Sequence, residues 1–208
     1  MQSIETRYAG CRFRSRLEAR WAVFFDCLGV TWHYEPEGFA LRTAHGSGIY
    51  YLPDFWLPGL NTWFEVKGTR PDALTEQKLD AFVEELVRPV RLITAIGGIP
   101  DPRHLEPHGH PVPYYEPDAF DIWLGCGQDY HYAWCLCPWC GKAGIEFDAR
   151  GARVCGWKSH EITEDEAWAK VEGRHWRIDD KCYTGDDPLI VKAYTEARSA
   201  RFDRGSGT

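Results

Sequence analysis

Asp54, Glu65 and Lys67 are the residues of this chain whose types and spacing could do chemistry. Asp54 lies in Tyr50-Tyr-Leu-Pro-Asp-Phe-Trp-Leu57; Glu65 and Lys67 lie in Thr62-Trp-Phe-Glu-Val-Lys-Gly68. Both runs are rich in aromatic and β-branched residues and predict strands, and Pro58, Gly59 and Asn61 predict the turn between them. Side chains alternate along a strand, so Trp63, Glu65 and Lys67 share one face while Phe64 and Val66 point the other way. Across the turn Asp54 comes close to Glu65, which gathers two carboxylates and one ammonium at one spot. Adjacent carboxylates repel each other unless a cation sits between them. Hard oxygen ligands of this kind suit Mg²⁺ or Mn²⁺. A lysine beside such an ion can orient or deprotonate a water, or stabilise charge developing on a phosphate. Glu-x-Lys alone would describe a surface ion pair of little energetic weight. Pro53-Asp54 at hairpin distance is what lifts the set above that.

The flanking elements must position this set. Phe13 to Leu28 predicts an amphipathic helix with an apolar stripe of Leu17, Trp21, Phe24, Phe25 and Leu28, stopped at Gly29. Ser15 can cap its start with Glu18 at capping-box distance. Arg12, Arg14, Arg16 and Arg20 surround Glu18 and form either a phosphate-contacting edge or a solvated basic face. Residues 1 to 12 predict a ragged lead-in. Val30 to Tyr34 and Phe39 to Arg42 predict strands, and Thr43 to Gly48 a polar turn. Pro53 cannot donate to a ladder, so a bend is expected there that aims Asp54 at the site. After the break at Gly68-Thr-Arg70-Pro, Asp72 to Val87 predicts a second helix. Gln77 and Lys78 lie early in it, on an exposed polar face or towards a phosphate. Val90 to Ile96 predicts a strand that returns parallel after this helix crossover.

Pro53-Asp54 followed by Glu65-Val66-Lys67, with Glu18 on a preceding helix, resembles the signature of the PD-(D/E)XK nuclease superfamily. The similarity covers roughly residues 8 to 100 and is to the small phage and actinobacterial nuclease-like proteins of that superfamily. It implies an α/β fold: a restriction-endonuclease-like core, an α-β-β-β-α-β mixed sheet flanked by helices. It implies Mg²⁺ (or Mn²⁺) held by Asp54, Glu65, the Val66 carbonyl and Glu18, with Lys67 beside it. It implies a metal-dependent deoxyribonuclease, an endonuclease leaving a 5′-phosphate and a 3′-hydroxyl. The DNA contacts it suggests are Arg12, Arg14, Arg16, Arg20, Arg70 and Lys78. The alternative is a catalytically silent, zinc-containing module that binds nucleic acid or protein.

The second half has its own chemistry. Cys135-Leu-Cys137-Pro-Trp-Cys140-Gly141 resembles a zinc-ribbon knuckle, in which a Cys-x2-Cys spacing lets two sulfurs reach one tetrahedral ion. Cys126, Cys135, Cys155 and His160 are the candidates to complete the site. Cys135, Cys137, Cys140 and Cys155 are the expected set, with structural Zn²⁺, and free buried thiols are the alternative. No second Cys-x2-Cys follows; Cys155-Gly-Trp-Lys-Ser-His160 is the nearest substitute. The aromatic residues Trp123, Tyr130, Tyr132, Trp134, Trp139 and Trp157 predict core for this small Cys-rich, zinc-ribbon-like segment, or a stacking surface for bases. Glu161 to Val171 and Pro188 to Phe202 predict helices, the latter capped by Asp186 or Asp187, with Arg198, Arg201 and Arg204 complementing its C-terminus or reaching a nucleic-acid backbone.

The expected organisation is a core at 1–100, a Pro/His-rich linker at 101–122 containing His104, His108 and His110, and the Cys-rich segment with its helices at 123–208. Its 208 residues suit one domain with a small appendage. The net charge of -7 argues against a generic nucleic-acid coat but not against a nuclease, since only the local field acts on a phosphate. The chain starts without a basic and then apolar leader, and no apolar run approaches the roughly 20 residues that span a bilayer. A cytoplasmic location in a phage-infected or bacterial cell is therefore expected, where the eight cysteines stay reduced and favour metal over disulfides. Cutting both strands needs two sites, so a homodimer or a larger nucleoprotein complex is the expected assembly.

Overall fold

The computed structural model describes residues 4–42, 46–105, 121–123, 132–171 and 182–202. It is a mixed α/β structure with one five-stranded sheet, three two-stranded sheets and five α-helices among those residues.

The lead-in is ordered rather than ragged. Strands β1 (Thr6–Tyr8) and β2 (Cys11–Phe13) form a hairpin, because Ala9 and Gly10 both adopt positive φ, as a two-residue primed turn requires. Helix α1 (Arg16–Cys27) follows, with Ser15 as its cap and Gly29 at φ 66° just beyond its end. The strand expected over Val30–Tyr34 shrinks to β3 (His33–Tyr34). Val30 N–H still bonds back to Phe25 O, and Glu35 turns the chain at φ 45°. The Tyr50–Leu57 strand is two strands. Strand β4 (Phe39–Arg42) pairs with β5 (Gly48–Tyr51) in a sheet of its own, and β6 (Phe55–Leu57) pairs with β7 (Thr62–Lys67). The break falls at Leu52-Pro53-Asp54, where Pro53 has no N–H to continue a ladder.

Helix α2 (Ala73–Glu85), capped by Asp72, carries the chain over to β8 (Arg91–Ile96), which runs parallel to β7 as expected. A fifth strand comes from the stretch expected to be linker and its boundary: β9 (Asp121–Trp123) pairs antiparallel with β8. The order β3-β6-β7-β8-β9 places β7 in the middle. On one face Phe64 meets Trp21 and Phe25 of α1 at ring separations of 4.9 and 5.3 Å. On the other, Trp63 meets Phe39 and Phe82, and Leu79 of α2 joins them.

The second half begins with the hairpin of β10 (Tyr132–Leu136) and β11 (Ala143–Phe147), then α3 (Ala152–Cys155), α4 (Glu164–Val171) and α5 (Pro188–Ser199, capped by Asp187). Apolar residues from both halves pack together. Trp134, Ile145, Ile190 and Tyr194 belong to the same buried cluster as Trp21, Phe24 and Phe25. The apolar stripe of α1 is wider than the sheet can cover, and Tyr194 of α5 closes it, 4.5 Å from Phe24. Thr184 fastens this half: its hydroxyl accepts from Leu136 N–H and donates to Leu136 O. Gly151 is required beside it, since a Cβ there would sit 2.1 Å from Leu136 O.

Candidate functional site

The carboxylates of Asp54 and Glu65 meet where β7 ends. Glu65 stands on the central strand, 2% exposed, and Asp54 arrives from the break at Pro53, also buried. Backbone and side chain lock them together. Asp54 N–H donates to Glu65 Oε2 at 3.1 Å, and Val66 N–H donates to Asp54 Oδ2 at 2.8 Å. Lys67 Nζ donates to Glu65 Oε1 at 2.5 Å, from the partly exposed mouth of the site. The predicted trio is thus brought to one place, with Val66 tied into it through its backbone.

Glu18 takes part in two ways. Its N–H bonds the Ser15 hydroxyl, and its Oε1 accepts from that hydroxyl at 2.6 Å, so the capping contact is real. Its Oε2 accepts from Tyr34 Oη at 2.6 Å and from Arg14 N–H at 3.0 Å. Its charge also reaches Asp54 and Lys67, so the helix acid belongs to the site's field.

The electrostatics are those of a crowded anionic site. Burial, and then Glu65, push the Asp54 carboxyl well above the usual range, against the opposing pull of Lys67. Burial pulls the Lys67 ammonium down, but Glu65, Asp54 and Glu18 outweigh it, so the lysine is held more firmly protonated than usual. A consequence for stability follows. The raised carboxyl means that the folded chain holds a proton the unfolded chain has lost. Stability contributed by this group is greatest below its ordinary value of 3.8 and falls as pH climbs through the raised one. Asp54→Asn is therefore expected to melt above wild type at pH 8, by about 1–3 kcal/mol, or roughly 2–4 °C per kcal/mol. Thermal scans from pH 4 to 8 should show the gap closing towards pH 4. A variant that melts lower at pH 8 would mean the charge is stabilising.

The donor set suits a hard cation: two carboxylates that repel each other and nearby backbone oxygen. Thr94, opposite Glu65 across the β7–β8 ladder, is buried with its hydroxyl unpartnered among the described residues, and burial and the neighbouring Glu65 hold the Tyr51 phenol protonated well above its usual range.

Of the expected DNA contacts, Arg12 is engaged by Glu5 and Arg14 by Glu35. Arg16 is exposed, and Arg20 is half-buried with its Nε shielded. Arg70 is exposed in the turn after β7, and Lys78 sits half-buried on α2 near Asp72. Arg198 donates to Ile99 O at 2.7 Å and so braces the loop after β8.

The thiol site needs one correction. Cys137, Cys140, Cys155 and His160 place their ligand atoms within 4.8 Å of one another, and Cys135 is not among them. Cys135 sits inside the β10–β11 ladder opposite Gly144, fully buried against Ala133, Ala149 and Val154, with its sulfur 3.7 Å from Gly144 O. Cys137 lies past the strand end, where the knuckle turns: Gly141 N–H bonds Cys137 O at 2.8 Å with Gly141 at φ 73°. Helix α3 ends at Cys155, and the 3-10 turn Trp157–His160 brings the imidazole round. Cys140 Sγ and Cys155 Sγ are 3.9 Å apart, and Cys137 Sγ and His160 Nε2 are 3.3 Å apart. Sulfurs on a tetrahedral zinc, each bonded at about 2.3 Å, lie about 3.8 Å from one another, so this Cys3His cluster could hold a metal such as zinc. Burial, then the neighbouring Cys137 and Cys140, push the Cys155 thiol up to about 12. Cys140 is instead drawn below the usual thiol range despite burial, by hydrogen bonds from Lys142 N–H and from the neighbouring thiols of Cys137 and Cys155. His160 stood among the sequence candidates; its five-residue separation from Cys155 was the signal. Cys126, His108 and His110 lie outside the described residues.

No helix among the described residues is long and apolar enough to cross a membrane. No protein-family model, no curated protein and no solved structure matches this chain.

Proposed function

We propose that the chain is a metal-dependent nuclease that hydrolyses phosphodiester bonds in DNA with Mg²⁺ or Mn²⁺. The observation that carries this is the meeting of Asp54, Glu65 and Lys67 at the end of one buried strand. An acid pair so buried is expensive without a cation to share it, and a hydrogen-bonded lysine at its mouth is placed to meet an anion. The order of elements lends partial support: α1, β3, β6, β7, α2 and β8 come in the sequence that an α-β-β-β-α-β core would need, with the β4–β5 hairpin inserted between β3 and β6.

Asp54 and Glu65 would hold the ion, with the Val66 carbonyl and Glu18 as further oxygen donors. A divalent ion bound there supplies a water of lowered pKa and neutralises charge on the scissile phosphate. Lys67 orients that water, or donates to the phosphate oxygens as negative charge builds on them. The Asp54–Val66 backbone bond keeps the carboxylate from swinging away, so the geometry is set before substrate arrives.

The test is cleavage of supercoiled plasmid, linear duplex, single-stranded and branched DNA with Mg²⁺, Mn²⁺ or EDTA. Metal-dependent cutting of at least one of them is expected. Binding without cutting on every substrate would instead favour a zinc-containing binding module, a reading to which the Cys3His cluster lends weight.

A further inference from the structure

A cavity of about 390 Å³ lies beside the start of β7, and none of Asp54, Glu65 and Lys67 lines it. Three aromatic rings do. Trp56 and Trp63 oppose each other across the β6–β7 ladder, with ring centres 5.0 Å apart and planes inclined at 42°. Phe39, from β4, stands 5.4 Å from Trp63 at 88°. Rings at such mutual angles wall a space from several directions, where a flat stack would close on itself. Trp63 is buried, whereas Trp56 and Phe39 are only half-buried, so aromatic surface is left uncovered beside the cavity.

The rest of the lining carries charge of one sign. Glu37, between β3 and β4, and Glu85, the last residue of α2, both line the cavity and both are exposed. Neither has a salt bridge or hydrogen bond among the described residues. Helix α2 has no basic residue in its last turn, so its C-terminal carbonyls add partial negative charge to the same field. Arg88, three residues further on, does not line the cavity.

Aromatic walls under an unneutralised negative field suit a cation, because the face of an aromatic ring attracts positive charge. Hydration decides which cation. A primary ammonium is strongly hydrated and would stay in water beside the carboxylates, leaving the rings unused. A quaternary ammonium has no N–H to satisfy and spreads its charge over methyl groups, which can lie against the rings while the carboxylates balance the charge. The volume falls in the range of small-molecule sites, roughly 300–1,000 Å³.

We propose that this cavity binds a small organic cation carrying a quaternary ammonium group, with Phe39, Trp56 and Trp63 around the methyl groups and Glu37 and Glu85 as counter-charge. The proposal does not depend on the nuclease reading. The experiment is calorimetric titration of the full chain with choline, with the uncharged isostere of choline in which carbon replaces the nitrogen, and with arginine. Wild type is compared with Trp56→Ala and with the double variant Glu37→Gln, Glu85→Gln. Saturable binding of one equivalent of choline is expected, with the isostere and arginine each weaker by about tenfold or more. The double variant should bind choline about tenfold more weakly with an unchanged Tm, because both carboxylates are exposed and unpaired. Trp56→Ala should lose the site. Choline that fails to saturate wild type overturns the proposal. So does an isostere that binds as well as choline, which would mark a plain apolar pocket. Arginine binding more tightly than choline would assign the cavity to a basic side chain of a protein partner instead. Choline binding unchanged in the double variant would place the cation elsewhere, even if Trp56→Ala fails to fold.

Discussion

Lys67→Ala is expected to lower the proposed metal-dependent cleavage by at least about 10²–10³-fold in kcat, the range seen when one preorganised charge-stabilising donor is removed. The size of the effect follows from position. Lys67 is the one cation among Glu65, Asp54 and Glu18 in this pocket of described residues, and it sits at the mouth. Neighbouring carboxylates keep it charged, so under the proposed reading it would meet a phosphate as an ammonium. Lysine and arginine are not interchangeable here: a planar guanidinium on a different stem cannot reproduce the contact to Glu65 Oε1, so Lys67→Arg restores charge and little activity. The metal-free stability moves as well. Removing the ammonium leaves Glu65 buried without its counter-charge, so Lys67→Ala melts below wild type while Asp54→Asn melts above it. Opposite stability shifts with a shared loss of cleavage separate the chemistry from the fold. The decisive measurement is single-turnover cleavage of the preferred substrate at saturating Mg²⁺. If Lys67→Ala or Asp54→Ala cuts as fast as wild type, the nuclease activity does not reside here.

The second large effect concerns the thiol cluster. The chain as isolated is expected to carry one equivalent of zinc by elemental analysis, and a strong chelator is expected to collapse the segment around α3 and the knuckle. Binding energies of structural zinc run to about 10–16 kcal/mol in isolated fingers. Thr184 and the shared core also hold this half, so only part of such an energy becomes folding stability here. A loss of several kcal/mol is still a large share of the roughly 5–15 kcal/mol that holds a domain together. The ligand assignment makes a sharper test. His160→Ala and Cys155→Ser each lower zinc content, while Cys135→Ala leaves it at one equivalent, since that sulfur faces Gly144 inside the ladder. Full zinc retention in His160→Ala, with loss in Cys135→Ala, would restore the all-cysteine set.

The two metal predictions concern different ions because the sites differ in chemistry. Oxygen donors at Asp54 and Glu65 select hard ions, and thiolates select zinc. EDTA would strip both ions, so the cleavage assay needs a re-addition step: Mg²⁺ returned to EDTA-treated protein is expected to rescue cutting only where the Cys3His cluster has kept or regained its own ion.

Much of this was legible along the chain. The alternation of β7 put Trp63, Glu65 and Lys67 on one face without any knowledge of neighbours, because the period of a strand is a property of the backbone. The Ser15 cap was readable, and the α5 cap narrowed to Asp186 or Asp187, for the same reason: a cap is a contact between residues a few positions apart. The parallel return of β8 followed from the helix that precedes it. Pro53 announced a break because a missing N–H is missing in every fold.

What failed to show in the sequence depends on contacts between distant residues. Whether β5 continues into β6 or turns aside to pair with β4 is decided by which partner edge is available. That β9 joins the central sheet, and that Tyr194 and Trp134 complete the core under α1, are long-range choices of apolar burial. Cys135 and His160 differ as ligand candidates by where a hairpin ends and how a short helix turns the chain back, so cysteine spacing could nominate both without choosing. The sequence by itself determined the chemistry that each segment can offer: an acid pair with a lysine, and a cysteine knuckle. Only the tertiary structure decided which groups share a site, because a side chain's partners are set by packing across the chain and not by its place along it.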